Sequence, residues 1–231
     1  MIRDGQPWLL EQLEDYRIAR EAGVARTFQN IRIFPQMSVL ENLIVAQHVS
    51  LMKASGNSAL ALFGIGGYRK AERQAVDLAR YWLDRVELVD SADEDAGSLS
   101  YGAQRRLEIA RAMCTEPALL CLDEPAAGLD SVARRELLDL LIELIQLRPE
   151  TTLLISTHHI GDLARIAQEV GMMDRGRLLR TAQLDDLQER MKKVQVVFPG
   201  SAPPAGFKLP GMISMESVGP VVTAVCELDS D

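Results

Sequence analysis

Short apolar runs alternate with amphipathic segments between residues 118 and 173, and this alternation constrains the fold more than any other feature of the chain. The runs at 118–122, 151–156 and 170–173 have the length of buried strands, and 131–147 and 160–168 have the apolar spacing of helices. Strands that alternate with crossover helices pair in parallel, because each helix returns the chain to the same edge. The sequence therefore predicts an α/β fold, a parallel sheet with helices on both faces.

Length, charge and cysteine content narrow the class of protein. The 231 residues fit one α/β domain with an appendage or two small domains. The net charge of −8 argues against a nucleic-acid partner, and the basic pairs Arg105-Arg106 and Lys192-Lys193 are interpreted as solvated helix faces. Three unpatterned cysteines indicate a reducing compartment. The longest near-apolar run, 59–67, is shorter than the ~20 residues of a membrane helix, so we expect a soluble, cytoplasmic protein.

The rest of the chain supplies further elements around this central pattern. Helical spacing is found over three segments, and a glycine-rich loop is predicted at 54–67. The three predicted helices span 8–22, 40–53 and 68–86. A short buried strand is expected at 24–28, and a hairpin turn is expected at 174–177, leading into Leu178-Leu179. The turn-rich segment after residue 193 predicts a small β-rich tail.

Two adjacent carboxylates end the strand at 118–122. Ligands of parallel α/β sheets bind at the carboxyl ends of the strands, where Asp123 is placed to hold Mg²⁺. Glu124 points to the other side of the strand end and can orient or deprotonate an attacking water. Taken alone, the pair is equally consistent with a strand that enters a polar turn before Pro125.

The turn Ser100-Tyr101-Gly102-Ala103-Gln104 precedes a predicted helix from 102 to about 114. Ser100 is placed to cap that helix, whose first N–H groups are unpaired. Gly102 permits an anion to approach the backbone, and a γ-phosphate is a natural guest. The alternative is an ordinary helix N-cap.

Two further polar residues end predicted strands. His158 follows the run 151–156 and can hydrogen-bond a γ-phosphate oxygen or the attacking water, with His159 and His48 as competitors. Gln29 follows the first strand, where its amide can touch both Mg²⁺ and the water. The alternatives are a capping histidine and a surface glutamine that opens a loop.

Together and in this order, these motifs resemble those of the ATP-binding subunit of ABC transporters over about residues 24–181. The matching segments are Arg26-Thr27-Phe28-Gln29-Asn30 (Q-loop), Leu99–Arg106 (signature motif), Leu119–Glu124 (Walker B), Ala127-Gly128-Leu129-Asp130 (D-loop) and Thr157-His158 (switch histidine). Over about 24–130, the segments Ala25–Arg32 and Glu41–His48 are similar to the branched-chain amino-acid importer type, a resemblance that fades after about Thr152.

The resemblance implies a P-loop-NTPase-like domain at 1–193 with a helical subdomain at about 35–98, followed by the tail at 194–231. It implies ATP and Mg²⁺ as cofactors, with Asp123 and Gln29 on the metal and Glu124, His158 and Gln29 as catalytic residues. Ser100, Gly102, Gln104 and Asp130 would bind the nucleotide. The implied partners are a second ATP-binding subunit and transmembrane permease subunits, which would hold the chain on the inner face of the cell membrane. Its implied function is ATP hydrolysis that powers membrane transport, with branched-chain amino acids as the suggested substrate.

The phosphate-cradling loop of this family, Gly-x-x-x-x-Gly-Lys-Ser/Thr, is not found in the sequence, because none of its 16 glycines precedes a lysine. In the family this loop lies on the order of 40–60 residues before the Q-loop, as ordinary element lengths require. Only 28 residues precede Gln29. We therefore expect a fold that is incomplete at its N-terminus, weak ATP binding and an exposed apolar face on the sheet. An alternative role is a non-hydrolytic partner that supplies its signature motif in trans to an intact subunit.

Overall fold

The structure is a computed structural model that describes residues 2–3, 6–55, 68–199, 204 and 206–227. The chain separates into two compact units, residues 1–160 and 161–231. The domain boundary predicted at residue 193 lies inside the second unit and stays a prediction. Most of the glycine-rich loop predicted at 54–67 lies outside the described residues.

The first unit combines short strands with six helices among its described residues. Its strands are β1 (Ile2–Arg3), β2 (Gln6–Pro7), β3 (Val24–Arg26), β4 (Leu119–Asp123) and β5 (Thr152–Ser156). Its helices are α1 (Asp15–Arg20), α2 (Val39–Ala46), α3 (His48–Ser55), α4 (Tyr68–Arg85), α5 (Tyr101–Met113) and α6 (Ser131–Leu147), with 3-10 turns at Leu10–Gln12 and Ala96–Ser98. The single helix predicted at 8–22 is wrong, because Leu13 and Glu14 are extended and interrupt it.

A parallel sheet of order β3-β4-β5 forms the centre of the first unit, as the sequence predicts. The strand expected at 170–173 does not join this sheet among the described residues, and it pairs antiparallel with the segment that follows it. The hairpin turn predicted at 174–177 is therefore confirmed. Arg175 and Gly176 connect the two strands with φ angles of 45° and 75°, which are the values a tight hairpin turn needs. A hairpin joins strands that are adjacent in sequence, and such strands run antiparallel.

The two faces of the parallel sheet differ in burial. On one face Leu120 and Leu122 are fully buried. On the other face Leu119 and Cys121 are half-buried, and Leu154 of β5 is 59% exposed. The exposed apolar face that the sequence predicts is therefore confirmed. The burial on both faces that the apolar run 118–122 predicts is wrong, because β4 shows the alternating burial of a strand that is covered on one side among the described residues.

Helices α2, α3 and α4 pack against one another within residues 39–85. Their core contains Leu43, Trp82 and Leu83, each fully buried. The Ser38 hydroxyl accepts a hydrogen bond from the Glu41 amide at 3.1 Å, and the Glu41 carboxylate accepts one from the Ser38 amide at 2.8 Å, so a capping box fixes the start of α2. The helix predicted at 40–53 divides at Gln47, whose side chain donates to the Ala75 carbonyl of α4.

The second unit consists of one hairpin, one three-stranded sheet and two short helices among its described residues. These elements are α7 (Ile160–Ile166), β6 (Glu169–Asp174), β7 (Arg177–Gln183), α8 (Leu184–Arg190), β8 (Met191–Val197), β9 (Met212–Val218) and β10 (Val221–Glu227). Strand β10 lies between β8 and β9 and is antiparallel to both, which agrees with the β-rich tail predicted from the sequence. None of the described helices of the chain is long and apolar enough to cross a bilayer.

Candidate functional site

The carboxyl ends of β4 and β5 bring Asp123 and Ser156 together. The parallel register pairs these two residues directly, and the Ser156 hydroxyl donates to Oδ1 of Asp123 at 2.6 Å. Arg26, the last residue of β3, donates from Nη2 to Oδ2 of Asp123 at 3.2 Å. Three neighbouring strand ends therefore converge on one carboxylate, which is 38% exposed.

Both contacts favour the ionised form of Asp123. The Ser156 hydroxyl is the main cause that holds the pKa of Asp123 below its usual value, partial desolvation opposes it, and the Arg26 guanidinium adds to the lowering. An aspartate with a lowered pKa is fully charged at neutral pH, which is the state that a cation ligand requires.

We expect Ser156→Ala to raise the pKa of Asp123, because the variant removes the largest stabilising contact of the carboxylate. A carboxyl group whose pKa is lower in the folded state adds stability above its unfolded pKa and loses it as the pH falls through the folded value. The stability advantage of the unmodified chain over the variant should thus be present above about pH 4 and vanish in stronger acid. NMR titration of the Asp123 carboxyl carbon checks the shift, and an unchanged pKa in the variant would contradict it.

Glu124 has a strained backbone and a carboxylate that is held from two directions. Its φ is 44°, in the left-handed region that non-glycine residues rarely occupy. Its amide donates to the Ser156 carbonyl at 2.9 Å. Oε1 accepts from the His158 amide at 3.0 Å and lies 2.7 Å from Nδ1 of the same histidine, while Oε2 accepts from the Thr157 hydroxyl at 3.3 Å.

The pKa of Glu124 results from opposing contributions. Desolvation is the largest single contribution and raises the pKa. The hydrogen bonds and charge of His158, with a smaller contribution from Thr157, together lower it by more, so the pKa of Glu124 lies below the usual glutamate value. The side chain is 18% exposed and ionised at neutral pH. The carboxylate is therefore in the unprotonated form that a proton acceptor needs, while its lowered pKa makes it a weaker base than an ordinary glutamate.

The turn at 99–104 adopts the predicted cap. Ser100 is the N-cap of α5, and its hydroxyl accepts from the Ala103 amide at 3.3 Å. The Gln104 side chain donates to the Leu99 carbonyl at 2.9 Å and so closes the turn upon itself. A Cβ atom on Gly102 would lie 3.4 Å from the Cβ of Ala133, so glycine allows the first turn of α5 to approach that of α6. These contacts are structural, and the binding of a nucleotide by this turn stays a prediction.

Asp130 and Gln29 also have structural contacts of their own. Asp130 is the N-cap of α6, where its Oδ1 accepts from the amides of Val132 and Ala133 at 2.8 and 2.9 Å. Gln29 is exposed, and its carbonyl accepts from the Arg105 guanidinium at 2.7 Å. In the described part of the chain, no hydrogen bond joins Asp130, Gln29 or the 99–104 turn to the Asp123, Glu124 and His158 cluster.

The sequence predicts no contact in the site for four residues around these motifs, namely Arg26, Arg105, Ser156 and Thr157. Register is the signal that finds Ser156, because a parallel pair of five-residue strands places it beside Asp123. Arg105 was interpreted as part of a solvated helix face, and that interpretation is wrong, because its side chain has no solvent exposure. Arg106, the other member of the basic pair, is mostly buried as well and pairs with Glu136 at 3.1 Å.

The donor set at the strand ends suits a magnesium ion that is also bound by phosphate. Asp123, Glu124 and Ser156 offer oxygen atoms, which Mg²⁺ prefers. Among the described residues there is no group of three or more His, Cys, Asp or Glu side chains that could hold a metal alone. Water and phosphate would therefore complete the coordination, as is usual for Mg²⁺ at sites of phosphoryl transfer.

Comparison with known proteins defines the class to which this site belongs. The family model described as ABC transporter matches residues 3–127, and the chain belongs to this family. It is 42% identical over 169 residues to BraF of Pseudomonas aeruginosa, a high-affinity branched-chain amino acid transport ATP-binding protein; the match covers 72% of this chain and 64% of BraF. It is 40% identical over 179 residues to LivG of Salmonella typhimurium, which has the same description, with 78% of this chain and 68% of LivG covered.

Solved structures agree with the sequence relatives. The ADP conformation of MJ1267, an ATP-binding cassette of an ABC transporter, superposes with a TM-score of 0.55 at 27% identity, covering 70% of this chain and 61% of MJ1267. The ATP-binding cassette MJ0796, in a dimeric post-hydrolysis state with ADP and phosphate, has a TM-score of 0.57 at 23% identity and supports the fold, covering 79% of this chain and 72% of MJ0796. The predicted α/β class and the resemblance to ATP-binding proteins of branched-chain amino acid transport are confirmed, although the chain spans only 64% of the length of BraF.

Proposed function

We propose that this chain acts in the ATP-binding subunit of an ABC transporter that uses ATP hydrolysis to import branched-chain amino acids. The observation that carries the proposal is the cluster at the strand ends, where Asp123 is held by Ser156 and Glu124 is held by His158. The cluster occurs in a chain that is 40–42% identical to BraF and LivG, whose descriptions name branched-chain amino acid transport.

Each residue of the cluster has a role in hydrolysis that follows from its contacts. Asp123 would bind Mg²⁺ directly or through water, since it is charged and partly exposed. Glu124 would accept the proton of the attacking water, and His158, 72% exposed, would orient that water or a γ-phosphate oxygen. Gln29, three residues beyond the end of β3, would reach both the metal and the water. When Mg²⁺ is bound, it neutralises charge that develops on the phosphate oxygens.

The remaining site residues would act across a subunit interface. Ser100, Gly102 and Gln104, with Asp130 beside them, would complete the nucleotide site of a second ATP-binding subunit. Permease subunits would bind the helical segment at about 35–98 and hold the chain on the inner face of the cell membrane. The net charge of −8 argues against a nucleic-acid partner.

Reconstitution tests this proposal. The chain would be combined in proteoliposomes with the permease subunits and the second ATP-binding subunit of a LivG-type importer. We expect uptake of radiolabelled leucine that depends on ATP, with no uptake when the chain is omitted. Assembly of the complex without leucine uptake would refute the proposed substrate, and failure of the chain to assemble would refute the proposed partners.

We also expect the 231-residue chain alone to bind ATP weakly, because no glycine in it precedes a lysine and no phosphate-cradling loop is present to bind the β- and γ-phosphates. Isothermal titration with Mg-ATP checks this expectation. A Kd in the micromolar range would contradict it. Parallel titration of MJ1267, whose solved structure holds ADP, provides a positive control.

A further inference from the structure

A buried ion pair on α5 holds the loop that carries Gln29. Arg105 and Glu108 face each other at 2.8 Å, with side-chain exposures of 0% and 2%. The two residues lie five and eight positions after the cap residue Ser100, so the pair belongs to the helix that the 99–104 turn begins. Because burial of two charges costs free energy that their attraction alone seldom offsets, the additional hydrogen bonds of the pair are informative.

Those hydrogen bonds go mainly to the backbone of residues 28–32. Nη1 of Arg105 donates to the Phe28 carbonyl at 2.8 Å, and Nη2 donates to the Gln29 carbonyl at 2.7 Å. Oε1 of Glu108 accepts from the Arg32 amide at 3.2 Å. The pair therefore satisfies three backbone groups on both sides of Gln29, and the planar guanidinium fixes two adjacent carbonyls at once.

The same guanidinium reaches a second motif. Nη2 of Arg105 also donates to the Tyr101 hydroxyl at 3.3 Å. A Cβ atom on Gly128 would lie 3.4 Å from the ring of Tyr101, so this ring packs against the segment 127–130. One buried side chain thus connects residues of the Q-loop, the signature motif and, through Tyr101, the D-loop.

We propose that Arg105, supported by Glu108, is a positioning residue that fixes the backbone around Gln29 relative to the 99–104 turn. The importance of Gln29 for the nucleotide rests on the proposed function, whereas the clamp itself is a property of the chain that is measurable without ATP. A neighbouring residue supplies a matched comparison. Buried Asn42 pins the next part of the same loop, accepting from the Phe34 amide at 2.8 Å and donating to the Phe34 and Ser38 carbonyls at 3.0 and 2.9 Å.

Hydrogen exchange of single amides, measured by NMR on the full 231-residue chain, tests the clamp. The main variant is R105M/E108Q, which leaves no unpaired buried charge and retains an amide oxygen for the Arg32 N–H. We expect hydrogen exchange of the Arg32 amide to accelerate at least tenfold relative to the amides of β4. The exchange rate of the Phe34 amide should change less than twofold. Asn42→Ala should give the reverse pattern, with faster exchange at Phe34 and little change at Arg32. In Glu108→Gln alone, Arg105 still holds both carbonyls, and the exchange rate of the Arg32 amide should change less than threefold.

Arg105→Lys separates charge from geometry, because a single ammonium group cannot reproduce the fork that holds two carbonyls and a carboxylate. We expect this variant to accelerate Arg32 exchange severalfold, and Arg106→Met to leave it unchanged. Unchanged exchange at Arg32 in R105M/E108Q would overturn the proposal. Equal acceleration at Arg32, Phe34 and β4 would also overturn it, since the pair would then support the fold as a whole. Neither result depends on ATP binding, so the test of the Arg105–Glu108 clamp is independent of whether the proposed function is correct.

Discussion

Replacement of Arg105 by Met is expected to lower the free energy of unfolding by about 3–5 kcal/mol, the usual cost of removing one partner of a buried ion pair. The variant leaves the Glu108 carboxylate buried without its cation, and it leaves the Phe28 and Gln29 carbonyls without their donor. Each of these groups would lose a hydrogen bond, and the Glu108 carboxylate, which is only 2% exposed, would gain no water in return. Urea denaturation followed by circular dichroism measures the change.

Two controls separate the charge from the volume of the side chain. The double variant R105M/E108L removes both charges, so it should recover the part of the loss that comes from the unpaired Glu108 carboxylate. The Phe28 and Gln29 carbonyls and the Arg32 amide still lack their partners in this variant, so the recovery should be incomplete. Arg106→Met removes a neighbouring arginine whose Glu136 partner is 53% exposed, and we expect a cost of at most about 1 kcal/mol. A cost below about 1 kcal/mol for Arg105→Met would show that water reaches Glu108 and that the pair is not a closed contact.

Long periodic elements of this fold could be predicted from the sequence. The helix predicted at 131–147 is observed with the same bounds, and the strand ends that carry Asp123 and His158 follow from the two apolar runs. These features depend on local patterns, because helical spacing and the break from apolar to polar residues are visible within one segment.

The contacts within the site could not be predicted in the same way. The link between Glu124 and His158 depends on a left-handed backbone at Glu124 and on the parallel register, which are properties of the folded chain. Arg105 was assigned to solvent because it adjoins Arg106, whereas the guanidinium is buried by contacts with residues 76 and 77 positions away in sequence. The pattern of charges along one helix does not show which backbone carbonyls of distant residues its arginine side chains will contact.

Replacement of Glu124 by Gln is expected to slow hydrolysis of the ATP that occupies this chain's own site by roughly 100- to 10,000-fold, the range that general-base catalysis supplies. The effect is expected at saturating Mg-ATP, because that site binds the nucleotide weakly. In the unmodified chain the His158 amide lies 3.0 Å from Oε1 of Glu124. The side-chain oxygen of Gln can still accept this hydrogen bond, so the local backbone should be preserved. The amide cannot take a proton from water, and hydrolysis should fall while assembly of the complex is retained.

Phosphate release at saturating Mg-ATP measures this effect, with Glu189→Gln as a control because Glu189 is an exposed carboxylate of α8. The comparison with Gly102→Trp, a bulky change at the turn predicted to serve the partner's nucleotide, makes the result specific. If Glu124→Gln leaves the rate unchanged and Gly102→Trp abolishes it, the chain contributes its signature turn and takes no proton itself. If both variants abolish hydrolysis, Glu124 is the general base of a site at which this chain hydrolyses ATP. A chain that only supplies its 99–104 turn to the partner subunit would not need a carboxylate at the end of β4.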